Sequence, residues 1–226
     1  MTGGHTHIAV GLSGGAMAVY DEETFEQIKF AIHCKEDIDE LKYAPNGKYL
    51  AVGSHDNYVD LLDVANDYAM LCRLAGHSSY IKHIDWSADS TMLQTNCGAH
   101  ELLYWKLWDP HPEGEGGGGP VALRPRQEKT SSAMRDVKWH SQTTLFGWHM
   151  RGLWPEDADG TDVNACARSN VGSRDLVATS DDFGKVKLFR YPCASNGAPS
   201  KSFSGHAAHV TPGFLSRRAP KQPAVS

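Results

Sequence analysis

A short grammar of residues repeats along this chain and constrains its fold more than any single motif. Residues 37–63 show it most clearly. Ile38, Leu41 and Tyr43 form an apolar triplet at offsets 0, 3 and 5, and Pro45-Asn46-Gly47 then breaks the chain. Asn-Gly is the dipeptide that tolerates positive φ at both central positions of a tight hairpin turn. Residues 49–52 are a short apolar run, long enough for a strand and too short for a helix. Residues 53–57 turn again, and 58–64 form the next run. The pattern predicts three antiparallel strands within this stretch.

The pattern returns. Ile81, Ile84 and Trp86 repeat the triplet, residues 92–95 give the second run and 102–105 the third. Tyr43 and Trp86 are 43 positions apart, as are Val59 and Leu102. Met134, Val137 and Trp139 show the triplet a third time, displaced by the glycine-rich insert at 110–120. Residues 176–189 match residues 50–62 closely. A period of about 40 to 45 residues carrying four short strands marks a propeller blade. The predicted class is therefore all-β: an incomplete WD40-like β-propeller of about four antiparallel blades, the first and last incomplete, over residues 1–211.

Taken in order, residues 7–33 give three strand-like runs with no triplet strand before them, so the chain begins inside a blade. Residues 34–76 and 77–130 form the next two blades. Between 134 and 189 the spacing allows either two poorly formed blades or one blade with a large insertion. Residues 144–154 have strand character, and 163–167 could open a blade. The insert at 110–120 is expected to be flexible, since glycine loses most entropy on ordering. The tail 212–226, with Arg217-Arg218, Pro220 and Pro223, has the composition of a disordered end. A propeller removes its open edges by closing its ring, so the expectation is a segment of a longer protein.

With 226 residues and 40% hydrophobic content the chain can bury a core. Its net charge of −5 does not suit a basic nucleic-acid binder. Five scattered cysteines, Cys34, Cys72, Cys97, Cys166 and Cys193, form no Cys-x-x-Cys pair. That spacing argues against a zinc site and for a reducing compartment. The chain has no stretch of about 18 apolar residues that would cross a membrane. Its first residues lack a signal peptide's basic and apolar regions. The expected address is the cytosol.

The chemical motifs have plain structural readings. Gly11-Leu12-Ser13-Gly14-Gly15 fits the hydrolase nucleophile elbow, which needs a strand-to-helix turn. Here two short strands flank Ser13, so a hairpin turn is the better reading. Residues 155–162 are acidic but lack the late glutamate of a calcium loop. Ser54-His55-Asp56 cannot act as a triad, because neighbours on an extended chain point to opposite faces. His5 and His7 would share a strand face, yet two ligands do not make a metal site. Trp105-Lys106-Leu107-Trp108 reads as blade core and loop, and Arg124, Arg126 and Lys129 as solvated surface. No catalytic, cofactor or metal residues are assigned, and the residues that would contact a partner are not identified by the sequence.

Gly76-His77 before the second triplet, and Gly205-His206 where a fifth unit would begin, resemble the WD-repeat family. The Trp-Asp that ends a WD repeat's third strand is replaced by Leu62-Asp63, Trp105-Lys106 and Phe189-Arg190. In that family His, Ser/Thr, Asp and Trp form a buried hydrogen-bonded set. The resemblance implies that only fragments of it survive here, such as Ser54 with Asp56, and that apolar stacking holds the blades. More specific strings are Gly152-Leu153-Trp154-Pro155-Glu156, Asp159-Gly160-Thr161-Asp162-Val163-Asn164-Ala165 and Asp181-Asp182-Phe183-Gly184-Lys185-Val186. Together with Phe189-Arg190-Tyr191-Pro192-Cys193 they resemble the C-terminal propeller of the echinoderm microtubule-associated protein-like family, over about residues 8–211. That resemblance implies a non-enzymatic module that binds tubulin and decorates microtubules, including the spindle, in the cytoplasm. A general protein-interaction scaffold with another partner is the alternative.

Overall fold

The computed structural model describes residues 7–108, 123–154, 161–169, 175–208 and 210. They divide into two compact units, Met1–Thr144 and Leu145–Ser226. Strands dominate both, as the period of about 43 requires. Among the described residues the fold is an incomplete all-β WD40-like propeller of four antiparallel sheets.

Unit one holds three sheets. The first has three strands in the order β1 (His7–Gly11), β2 (Ala16–Asp21), β3 (Gln27–Ile32). Among the described residues it has three strands, matching the three strand-like runs of residues 7–33. The second is β4 (Ile38–Tyr43), β5 (Tyr49–Ser54), β6 (Tyr58–Asp63), β7 (Ala69–Ala75). The third is β8 (Ile81–Trp86), β9 (Met92–Cys97), β10 (Leu102–Trp108), β11 (Leu123–Glu128). In the turn between β4 and β5 only Gly47 takes positive φ, at 74°, and its N–H donates to the Ala44 carbonyl at 2.9 Å. A longer turn with one left-handed residue thus replaces the expected two-residue one.

The period-2 alternation of strand side chains builds two cores from the middle sheet. Leu50, Val52 and Leu62 face one way and join Met17 and Val19 of β2. Ala51, Val59 and Leu61 face the other way and join Ile81, Ile84, Trp86, Leu93 and Trp105 of the third sheet. The approach is close enough that Gly53 is required: a Cβ there would lie 2.7 Å from Ile81 Cγ2. Gly15 is more constrained still. Its φ is 73°, and a Cβ would meet the Cys34 carbonyl oxygen at 2.0 Å. That carbonyl belongs to the crossover from the first sheet to the second, whose His33 and Cys34 N–H groups both donate to Gly15 O.

Two expectations need correction. Met134, Val137 and Trp139 do not open a sheet. Ser131–Met134 is a 3-10 turn, and Trp139 makes only an isolated bridge with Ser87. These residues pack instead on Tyr104, forming a satellite cluster over the third sheet. The second correction concerns 144–154. Trp148–Leu153 is a 3-10 helix, not a strand.

In unit two the sheet runs β12 (Val163–Ser169), β13 (Leu176–Asp181), β14 (Lys185–Arg190), β15 (Ser200–Ser204). Among the described residues one four-stranded sheet follows the third, and 134–154 add no strand of their own. Leu145, together with Met150 and Leu153 of the 3-10 helix, clusters with Val163, Val177 and Phe189. Residues 109–122, 155–160 and 211–226 lie outside the described residues, and with them the readings of a flexible insert, an acidic turn and a disordered tail.

One half-buried histidine gives the fold an acid sensitivity. Burial pushes the His83 imidazole down to about 4, against the upward pull of Asp85. Because the folded value lies below the ordinary 6.5, protons favour the unfolded chain. The stabilisation is present above pH 6.5 and is lost as pH falls toward 4. We expect stability to fall by about 2 kcal/mol between pH 7 and pH 5 from this residue. Urea midpoints for the native chain and His83→Gln at both pH values check this. Equal slopes in the two proteins would show that His83 contributes nothing.

Candidate functional site

Among the described residues, an exposed apolar surface lies on the first sheet. Along β1 and β3 burial alternates, so that Ile8, Val10, Ile28, Phe30 and Ile32 point outward. Register puts Val10, Ala18 and Phe30 in one row and Ala16 opposite Ile32 in another. Phe30 is 56% and Ile32 75% exposed. The opposite face of this sheet, with Met17 and Val19, is core. An ordinary outer strand face alternates apolar-in with polar-out. A face that is apolar on both sides is built to be covered.

The second sheet carries an ion pair between buried Asp60 and exposed Arg73. Arg73 donates to both oxygens of Asp60 at 2.7 Å, and His33 Nε2 lies 3.2 Å from Asp60 Oδ2. Burial alone would raise the Asp60 carboxyl, but the Arg73 hydrogen bonds and the neighbouring His33 hold it below the usual value. Arg73 also lies over the Tyr58 ring, 4.8 Å from its centroid. This group ties β6 to β7 and is structural, because both carboxylate oxygens are already occupied.

The third sheet corrects the expectation that only fragments of the WD polar set survive. Trp105 Nε1 donates to Thr95 Oγ1 at 2.9 Å, and Thr95 Oγ1 lies 2.7 Å from His77 Nε2. All three residues are buried. His77 Nδ1 points toward Glu101, 3.7 Å from Oε2. The Glu101 carboxylate accepts the Ser78 N–H and the Ser78 hydroxyl, each at 2.8 Å, and the Cys97 thiol at 3.3 Å. The Ser78 hydrogen bonds hold this carboxyl below its usual value, while burial pushes His77 down. Glutamate one position before β10 thus stands where the motif uses aspartate. The signal was in the sequence as a Gly-His followed by Thr95 and Trp105 on successive strands.

The other singled-out residues do not converge on chemistry. Ser13 is exposed on the 3-10 turn Ser13–Gly15, where the neighbouring Gly14 N–H donates to Asp37 Oδ1. No helix follows it, so the elbow geometry is not formed. Ser54 Oγ accepts the Asp56 N–H, whereas the His55 ring bonds Asp39 at 2.6 Å. The three residues face different partners. His5 lies outside the described residues, and His7 Nδ1 bonds the Tyr68 hydroxyl at 2.8 Å. Arg124 and Arg126 are exposed on β11, the outer strand of its sheet.

Comparison with known proteins now adds what the geometry leaves open. The family model for the second β-propeller of echinoderm microtubule-associated protein matches residues 1–213. The chain is 42% identical over 207 residues to the 77 kDa echinoderm microtubule-associated protein of Lytechinus variegatus, covering 90% of this chain and 29% of that one. It is 41% identical to human echinoderm microtubule-associated protein-like 3 over the same length, covering 21% of it. The chain therefore spans less than a third of these relatives. Among solved structures, a chain in the crystal structure of the mitotic checkpoint complex aligns with a TM-score of 0.63 at 16% identity, covering 93% of this chain and 65% of that one. At that identity the likeness is one of fold.

Proposed function

The chain belongs to the echinoderm microtubule-associated protein family, and from that premise we propose that it is a non-enzymatic propeller segment that associates with microtubules by binding tubulin. The observation that carries this reading is the family match, which runs through residues 1–213 instead of stopping at a single repeat. Its place would be the cytoplasmic microtubule cytoskeleton, including the spindle. The mechanism is presentation: stacked sheets hold loops in fixed positions, and no bond is made or broken.

Within this reading the apolar face of β1–β3 has a separate task. It repeats the chemistry by which the first, second and third sheets stack on one another, apolar residues at alternate positions. Its occupant is a further propeller-type sheet, and the tubulin contacts fall to loops and strand edges. The same face favours a second reading, in which the chain is an interaction scaffold for a protein other than tubulin. A fluorescent fusion of the whole chain separates the two in cells. Filamentous signal that becomes diffuse when microtubules are depolymerised is expected. Diffuse signal before and after would favour the scaffold.

A further inference from the structure

We propose that the edge of β1 is a strand-acceptor site, taking up in trans an antiparallel, extended segment of a partner protein that carries apolar residues at offsets 0, 3 and 5. β1 stands at the edge of the first sheet, with β2 on one side only. The Leu12 N–H donates to the Ala16 carbonyl at 2.9 Å, which fixes the phase of the β1–β2 ladder. Hydrogen bonding along an antiparallel pair alternates from residue to residue. Val10 and Ile8 therefore bond Ala18 and Tyr20, and the N–H and C=O groups of Ala9 and Gly11 point away from β2. Among the described residues these groups have no hydrogen-bond partner.

The second and third sheets show what such an edge holds. β5 is the counterpart of β1: a Cβ on Gly11 would lie 2.6 Å from Ile38 Cγ2, as one on Gly53 would lie 2.7 Å from Ile81 Cγ2. β4 fills the β5 edge, with Leu41 opposite Val52 and Tyr43 opposite Leu50. β8 fills the β9 edge, with Ile84 opposite Thr95 and Trp86 opposite Leu93. Leu50, Val52, Leu93 and Thr95 are all 0% exposed. Their counterparts on the first sheet, Ile8 and Val10, are 39% and 37% exposed. Leu12 stands where the second sheet has Ser54, which pairs with Ile38, and it is 40% exposed. This exposed row receives the incoming triplet: its first residue opposite Leu12, its second opposite Val10, its third opposite Ile8.

Two further observations select this edge and its occupant. Strand edges are normally guarded by charge or proline. Among the described residues every other edge strand carries such a guard, as β3 does Lys29, β7 Arg73, β11 Pro125 and β15 Lys201. β1, His7-Ile8-Ala9-Val10-Gly11, carries no Asp, Glu, Lys, Arg or Pro. The slot also continues an interface already made. β8 lies against β4, where Trp86 Nε1 donates to the Lys42 carbonyl at 3.0 Å, and β4 lies against β1. A strand at the β1 edge stands against β4 as β4 stands against β8. Main-chain hydrogen bonds give such a complex its affinity, and the places for alternate side chains give its selectivity. The added strand widens the sheet and leaves its apolar face to the further sheet. The site is independent of the tubulin reading, because no microtubule takes part in it.

Fluorescence anisotropy with the full chain tests the site. The probe is a labelled synthetic peptide with the sequence of residues 79–88, which carries Ile81, Ile84 and Trp86 at the required offsets. It should bind one to one, and hydrogen exchange should slow at the Ala9 and Gly11 amides. A peptide with those three apolar residues replaced by serine should bind at least about tenfold more weakly. In the protein, Ala9→Pro removes an outward N–H and should weaken binding about tenfold. Val10→Ser, at an exposed side chain, should weaken it about threefold. No binding of the 79–88 peptide, equal binding of the serine peptide, or slowed exchange confined to another strand would each overturn the proposal. So would a chain that is dimeric in solution and becomes monomeric on Ala9→Pro, since the edge would then belong to a second copy. If Ala9→Pro does not fold by circular dichroism, the serine peptide and the exchange pattern decide.

Discussion

Replacing Asp85 with alanine is expected to lower stability by about 3 to 5 kcal/mol. The side chain is fully buried and serves as the acceptor for an entire connection. Ser141 Oγ donates to Oδ1 at 2.6 Å and Thr143 Oγ1 at 3.0 Å. The Thr143 N–H lies 2.9 Å from both oxygens, and the Thr144 N–H donates to Oδ2 at 3.0 Å. Gln94 Nε2 adds a fifth group at 3.2 Å. Truncation leaves these donors facing a void from which water is largely excluded, and each buried donor without a partner costs about 1 to 3 kcal/mol. The loss is capped by how far residues 141–144 can swing out to solvent. Asp85→Asn should cost less, about 2 kcal/mol, because one oxygen remains while the amide nitrogen opposes donors. Urea unfolding gives the numbers, and faster limited proteolysis at 141–144 should accompany them. A loss below about 1 kcal/mol for Asp85→Ala would mean that the connection is held by something else.

The second large effect is expected at Trp86. Its ring is 2% exposed and lies in the cluster shared by the second and third sheets. Its indole N–H donates to the Lys42 carbonyl at 3.0 Å, so it also bonds β8 to β4 of the neighbouring sheet. Trp86→Ala removes one of the two tryptophans of that cluster and opens a cavity among its apolar side chains. Losses of about 3 to 5 kcal/mol are usual for such a truncation. Trp86→Phe keeps most of the apolar volume and loses the hydrogen bond, so its cost should be about half as large. Melting curves for the three proteins should fall in that order. Equal stability of Trp86→Ala and the native chain would show that the sheets stand independently.

These two residues mark what the sequence reveals and what it hides. Trp86 was legible, since it closes a triplet repeated 43 positions after Tyr43 and its burial follows from strand alternation. Asp85 was not. A single aspartate beside a core tryptophan gives no local sign that residues 141–144 return to cap it. The triplet of Met134, Val137 and Trp139 misled for a related reason. Apolar spacing records which residues are buried, not what buries them, and these pack as a cover on Tyr104. Strand β11 was hidden by Pro125, which a strand tolerates only where its missing N–H is not needed, and β11 is the outer strand of its sheet. The His77, Thr95 and Trp105 chain was discounted because the Trp-Asp dipeptide is absent. The tryptophan itself suffices for the hydrogen bond to Thr95, whatever residue follows it.

Function rests on family membership more than on any constellation of side chains, so its decisive test is binding in a purified system. The full chain, shown folded by circular dichroism, is incubated with stabilised microtubules and sedimented across a range of tubulin concentrations. A pelleted fraction that rises with tubulin and saturates is expected. A fraction that stays at the level of a control without microtubules would contradict the assignment of tubulin as the partner.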